Sequence, residues 1–155
     1  MINLQNNQEE KEIESRVIEI KRVSKKTKGG NQISFTALVV VGDRQGGLGI
    51  ALTKAKDVQG AILKGEKKAK KTMIKIVFDP EKKTIPYPAE VKYKASRILL
   101  KPAKGGTGLI AGGPIRIMAE LAGIENMVAK IFGSRNKTAV VYATFNAFLQ
   151  FVKND

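Results

Sequence analysis

Three prolines (Pro80, Pro86 and Pro88) fall within the ten residues from Asp79 to Pro88. Each lacks a backbone donor and restricts the residue before it, so no long helix or strand crosses this segment. The 155-residue chain is thereby cut into two halves that must each complete their own secondary structure. The expected organisation is an acidic, flexible arm over residues 1–15 and a first domain over 16–78. A proline-rich linker follows over 79–88, then a second domain over 89–155.

Hydrophobic period sets the elements of each half. Val17, Ile18, Ile20 and Val23 suggest a strand over Arg16–Val23, and β-branched residues favour it. Over Ile33–Val41 the odd positions Ile33, Phe35, Ala37, Val39 and Val41 alternate with Ser34, Thr36, Leu38 and Val40, a second strand. A turn rich in glycine, Gly42 to Gly47, leads to a third strand over Leu48–Leu52. The period then changes: Ala55, Val58, Ile62, Ala69, Met73 and Ile76 predict a helix over about Lys54–Val77. Lysines 64, 67, 68, 70, 71 and 75 crowd its second half, where the helix dipole favours cations on a solvated face.

The second half begins with strands over Val91–Lys94 and Arg97–Lys101, and a glycine-rich stretch follows over Gly105–Gly113. A helix is predicted over Pro114–Ala122, a strand over Met127–Phe132 and a last helix over Lys137–Val152 with Asn136 as its N-cap. The stripe Val141, Phe145, Phe148 and Val152 is read as core. The fold class is α+β, in the order β-β-β-α and then β-β-α-β-α.

Between the first two strands lies Lys21-Arg-Val-Ser-Lys-Lys-Thr-Lys-Gly-Gly, in which five of the first eight residues are cationic. A strand-loop-strand unit holds that charge on a fixed scaffold, and its glycines allow positive φ and close approach. The chain as a whole carries a net charge of +14. Residues 1–15 hold four glutamates and one lysine, a local charge of −3, so residues 16–155 carry +17. Such an imbalance implies a polyanionic partner.

Cysteine and histidine are absent, which excludes disulfides, thiolate chemistry, the usual zinc sites and histidine acid–base catalysis. No apolar run approaches the roughly 20 residues that span a bilayer. The polar, acidic N-terminus is the reverse of a signal peptide, so an intracellular location without membrane partners is expected. No acid pair is poised for catalysis and no nucleophile has a neighbouring base. The chain is therefore expected not to be an enzyme, and to need no cofactor, metal or small-molecule substrate.

Gly106-Thr-Gly-Leu-Ile-Ala111 fits the G-x-G-x-x-A pattern of a dinucleotide loop, with Glu125 near the place of a ribose-binding acid. Ala103-Lys-Gly separates the preceding strand from these glycines, too few residues follow for a doubly wound sheet, and no second βαβ unit precedes. Two other readings remain for the glycines: close helix–strand packing, or a smooth surface for another backbone. Lys101, Lys104 and Arg116 flank them, so an anion or an acidic partner face could sit nearby.

Single-strand binders stack bases on sheet aromatics. The first three strands offer only Phe35, and Phe132, Tyr142, Phe145, Phe148 and Phe151 are read as core of the second half. The basic residues are overwhelmingly lysine, which suits phosphates better than bidentate base recognition. Shape and backbone recognition of folded RNA fits best.

The matching stretches Arg22-Val-Ser-Lys with Lys28-Gly-Gly, Phe35-Thr-Ala-Leu-Val-Val-Val-Gly-Asp, Lys54-Ala, and Ser96-Arg-Ile with Lys101-Pro-Ala run in a familiar order. Gly106-Thr-Gly with Ile110-Ala-Gly-Gly, Ala122-Gly, Ala129-Lys-Ile-Phe-Gly-Ser-Arg-Asn and Val140-Val-Tyr-Ala-Thr continue it. In this order and spacing the chain resembles the family of the fifth protein of the small ribosomal subunit, in its bacterial or organellar form. It departs from the pattern at Ala51-Leu-Thr53 and at Gln59.

The resemblance implies an N-terminal domain like the double-stranded-RNA-binding fold, followed by a small α+β domain with a left-handed crossover. It implies a structural role in the small subunit near the decoding region, with effects on assembly and decoding accuracy. Val23, Ser24, Lys25, Lys26 and Gly29 would inherit the family's loop that reaches into ribosomal RNA near the spectinomycin site. Lys21, Arg22, Lys28 and Gly30, with Arg44, Lys54 and Lys56, complete the expected rRNA-binding set. Gly106, Thr107, Gly108 and Arg116 would form the contact with the subunit's fourth protein, where changes lower accuracy. The eighth protein, and mRNA where it enters the subunit, are further expected partners. Within the loop the lysines are expected to supply affinity, and Ser24, Gly29 and Gly30 to set how deeply it reaches. The alternative is a free-standing RNA-binding chaperone outside the ribosome.

Overall fold

The computed structural model describes residues 12–152; most of the expected acidic arm lies outside them. The first half comprises β1 (Glu14–Thr27), β2 (Gly30–Gly42), β3 (Gly47–Ala55), α1 (Val58–Lys71) and the two-residue β4 (Ile74–Lys75). The second comprises β5 (Ala89–Tyr93), β6 (Ser96–Pro102), β7 (Leu109–Ile110), α2 (Gly113–Ala122), β8 (Met127–Gly133) and α3 (Lys137–Leu149). The α+β class and the two-part order of elements match the sequence reading. Each half has a four-stranded sheet, ordered β1-β2-β3-β4 and β5-β6-β8-β7. All pairs are antiparallel except β7 and β8, which run parallel and are joined through α2.

β2 is the spine of the first sheet. Its odd residues Ala37, Val39 and Val41 pack with Ala51, Ala61 and Ala69 beneath α1. Small side chains let the helix sit close, and at Gly49 the Ala69 carbonyl occupies the space a Cβ would need. The even residues Leu38 and Val40 point the other way and join Leu48 and Ile50 in a second cluster. That cluster continues through Ile98, Leu100, Met118, Leu121 and Phe148 of the second half. One apolar core therefore runs across both sheets. The proline-rich segment contributes to it directly: Ile85 is buried, and buried Thr84 accepts a hydrogen bond from the Ala103 amide (3.0 Å).

Several expectations are corrected here. The first helix spans Val58–Lys71 rather than Lys54–Val77. Asp57 caps it by accepting from the Gly60 amide (3.2 Å), and Lys54 and Ala55 stay in β3 opposite Thr36 and Phe35. Met73 and Ile76 continue the apolar spacing, but Ile76 forms a bridge with Val152. β1 is longer than predicted: it starts at Glu14, inside the expected arm, and runs four residues past Val23. A bulge between Val17 and Glu19 shifts its register against β2. β4 and β7 were too short to leave a periodic signal. Phe132 was read as core; it lies on the outer face of β8, 38% exposed, beneath the Arg97 guanidinium at 5.0 Å. Asn136 does cap α3, accepting from the Thr138 amide at 3.0 Å, and Val141 and Phe148 are buried as expected.

Candidate nucleic-acid interface

β3 ends at Ala55, opposite Phe35 of β2. Beyond that point β1 and β2 continue alone through five residue pairs, from Val23–Ser34 to Thr27–Gly30. This two-stranded ribbon projects for about 17 Å before the turn at Lys28-Gly29, at ~3.4 Å per residue. Residues 20–33 are all exposed. Side chains alternate across the ribbon. Arg22, Ser24 and Lys26 share one face with Phe35, Ile33 and Asn31; Lys21, Val23 and Lys25 share the other with Thr36, Ser34 and Gln32. Lys28 sits at the tip.

The ribbon's cations are available. Among the described residues, Arg22, Lys25, Lys26 and Lys28 form no ion pair, whereas Lys21 lies 3.9 Å from Glu19. Lys54 and Lys56 stand at the ribbon's base, where β3 ends, and Lys64 reaches the Lys54 carbonyl (3.4 Å). Nine of the expected rRNA-binding residues, Lys21 to Lys26 with Lys28, Gly29 and Gly30, therefore lie on the ribbon or just below it, and Lys54 and Lys56 flank them. Asn31, Gln32 and exposed Ile33 share this surface and were missed. Ile33 opens the alternation of the second strand, whereas Asn31 and Gln32 carry no periodic signal although the strand extends to Gly30.

The two glycines differ. Gly30 has φ +125°, a conformation that side chains rarely adopt, while Gly29 lies outside the left-handed region. A Cβ at either position would meet no atom within 4 Å. Within the chain the turn therefore needs glycine at Gly30 for its conformation, and the Thr27 hydroxyl donates to the Gly30 carbonyl (2.8 Å) and closes the turn.

Arg44 is the exception in the expected set. It occupies the β2–β3 turn with φ 59°, at the far end of β2, ~40 Å from the tip at ~3.4 Å per residue. Its guanidinium pairs with Glu14 (2.9 Å), and this hydrogen bond holds the Glu14 carboxyl below the usual carboxylate range. A depressed pKa means that the pair's small contribution is present above the ordinary carboxylate pKa and is lost as pH falls through the lowered one.

Arg44 instead lines a groove of about 490 Å³ together with Lys83, Leu109, Arg116, Glu120 and Glu125. Every cation there has a carboxylate: Lys83 has Glu125 at 3.0 Å, and Arg16 and Arg116 share Glu120 at 3.1 and 3.3 Å. A rim whose cations are already paired disfavours phosphates and suits a protein surface with its own mixed charges. The structure thus brings Arg44 to Arg116. Gly108 adjoins Leu109 of the groove; its amide donates to Asn126 Oδ1 (2.9 Å), while Gly106 and Thr107 form the exposed tip of the loop. The strand β7 follows these glycines rather than leading into them, the reverse of a dinucleotide loop. Glu125, the residue once placed near a ribose, is occupied by Lys83.

Comparison with known proteins agrees along the chain. The N-terminal domain of ribosomal protein S5 matches residues 13–77, and the C-terminal domain of ribosomal protein S5 matches residues 91–153. A small ribosomal subunit protein uS5 from Rubrobacter xylanophilus is 46% identical over 139 residues, covering 90% of this chain and 68% of the relative. One from Chloroflexus aurantiacus is 44% identical over 141 residues, covering 91% and 78%. One from Gloeobacter violaceus is 46% identical over 129 residues, covering 83% and 57%. Two half-chain matches in order, with relatives of this identity spanning both, leave one conclusion: the chain belongs to the ribosomal protein S5 family of the small ribosomal subunit.

Proposed function

We propose that this structural constituent of the small subunit binds ribosomal RNA through the β1–β2 ribbon, and that its opposite groove docks a neighbouring protein. One observation carries the first part: a free ribbon holding Arg22, Lys25, Lys26 and Lys28 without ion-pair partners among the described residues. The resemblance supplies the address, near the decoding region and the path by which mRNA enters, with the eighth protein as a further neighbour. The segments on either side of residues 79–88 act as two domains welded by a common core.

Binding to small-subunit rRNA should be steeply salt-dependent. If about 6–10 phosphates are neutralised, the slope of log affinity against log salt is about −5 to −9. Filter binding across 50–200 mM salt measures it, and a slope near zero would overturn the reading. Recovery only outside ribosomal fractions on sedimentation would favour the free-standing chaperone instead.

The protein-facing role rests on the loop and groove. Gly106, Thr107, Gly108 and Arg116 meet the subunit's fourth protein there, and Arg44 joins them. In Gly108→Arg the new side chain has open space, but the backbone sits at φ +80°, so the loop is strained and gains charge beside the balanced rim. The expected result is weaker binding of the fourth protein and more misreading in a translation assay. Unchanged error rates count against this interface.

A further inference from the structure

A helix is about 10 Å across and strands lie about 4.8 Å apart, so one helix covers about two strands. In the first half α1 lies over β2 and β3, and the buried cluster beneath it takes its strand residues from those two. β1 is left bare on that side. The register sets Val17 beside Val39, Ile20 beside Ala37 and Ser24 beside Ile33, all on the face that carries α1. The Ser15 hydroxyl donates to Glu66 Oε1 (2.8 Å), which turns the side of α1 bearing Leu63, Glu66 and Lys70 toward β1. Leu63 is 59% exposed, Ile20 and Ile33 42%, and Val17 36%. Half-buried Phe35 lies between Ile33 and Ala37 along β2. These side chains form an apolar shelf about 20 Å long, the length of roughly four helical turns. Its rim is basic: Arg22, Lys67 and Lys70 are exposed and form no ion pair among the described residues.

We infer that this shelf docks an amphipathic helix of another protein, packed beside α1 with its apolar side on the sheet and carboxylates along its flanks. The vacancy is one helix wide, and a second helix there would complete the layer that α1 begins. Apolar side chains at helical spacing bury Val17, Ile20 and Leu63, whereas a nucleic-acid backbone has no apolar surface to cover them. Charge completes the choice of partner. Arg22 and the α1 lysines, which the ribbon reading leaves to solvent, meet acidic side chains on either side of the apolar contact. A second copy of this chain is disfavoured on the same ground, because at +14 it brings cations to cations.

The test uses the full chain and a synthetic amphipathic helical peptide of roughly four turns, with leucines along one side and glutamates on the flanks. Binding is followed by fluorescence anisotropy, and a scramble of the same composition controls for charge alone. The scramble should bind at least about tenfold more weakly. Leu63→Gln should weaken the amphipathic peptide about tenfold, and Val17→Thr should weaken it in the same direction. Both positions are exposed, so the fold is kept, and thermal denaturation checks this. Lys67→Glu with Lys70→Glu should cost about tenfold at low salt. Lys82→Glu with Lys92→Glu, the same charge change in the linker and on the second sheet, should leave peptide binding unchanged. A photoreactive group on the apolar side of the peptide should crosslink to segments holding Val17, Ile20 or Leu63. Equal binding of peptide and scramble overturns the inference, as do crosslinks elsewhere on the chain. It is overturned equally if Leu63→Gln leaves the peptide unaffected but lowers affinity for an rRNA transcript, or abolishes self-association in sedimentation equilibrium. The first of these outcomes makes the shelf an RNA surface and the second a contact between copies.

Discussion

Removing Arg22, Lys25, Lys26 and Lys28 together is expected to lower affinity for small-subunit rRNA by about 10³- to 10⁴-fold near 0.1 M salt and to flatten the salt slope by about 3–4 units. The magnitude follows from counterion release: each lysine or arginine on a phosphate contributes roughly a tenfold factor at that salt. The size of the effect depends on geometry as well as charge. Among the described residues none of the four side chains forms an ion pair, so none must first break one. Substituting three lysines of α1 (Lys67, Lys68 and Lys71) removes nearly the same charge from a helix face read as solvated, and should cost less than tenfold. Filter binding of the two variants decides the matter. Equal losses would mean that bulk charge, not the ribbon, carries the affinity.

The second large effect is on stability. At Gly42, where β2 ends, an added Cβ would overlap the Leu121 carbonyl and lie 2.7 Å from Leu121 Cβ. Backbone of one half rests there directly on backbone of the other, and the Arg44 amide donates to that same carbonyl (2.9 Å). Neither side can yield without opening the core that joins Leu38 and Val40 to Met118 and Leu121. Gly42→Ala is expected to cost about 3 kcal/mol, which lowers Tm by roughly 6–12 °C for a chain of this size. Gly29→Ala, whose Cβ meets open space, should change Tm by no more than about 2 °C. Thermal denaturation followed by circular dichroism measures both. An unchanged Tm in Gly42→Ala would mean that the two halves do not bear on each other at this seam.

Much of this was legible in the residues themselves. Alternation over Ile33–Val41 is a short-range signal, and it found the spine of the first sheet. The Lys21–Gly30 stretch identified the ribbon because turn chemistry and charge coincide there. The length of the ribbon was hidden, since polar Gln32 and Asn31 pair with Lys25 and Lys26 as regularly as apolar residues do. The place of Arg44, away from the ribbon and paired with Glu14, was hidden for a different reason. Charge in sequence does not show which carboxylate will fold against it, and Glu14 is thirty residues away. The helix of the first half was overextended because Met73 and Ile76 keep its spacing, although Met73 packs on the cluster beneath α1 after the helix has ended and Ile76 lies in a bridge with Val152. Local period cannot separate an amphipathic helix from a helix that stops and hands its stripe to the next element. The common core was the least visible feature. Prolines mark where regular structure breaks, but they do not reveal that Ile85 between them is buried.

The bulge between Val17 and Glu19 bears on the life of the chain before assembly. β1 is fourteen residues long, and no strand lies beyond it among the described residues. A flat edge of that length is a template for pairing with another copy. The register shift twists this edge, and the charged side chains of Arg16, Glu19, Lys21 and Arg22 surround the break. A newly made chain that has not yet met its RNA thus carries its own protection against stacking edge to edge into aggregates.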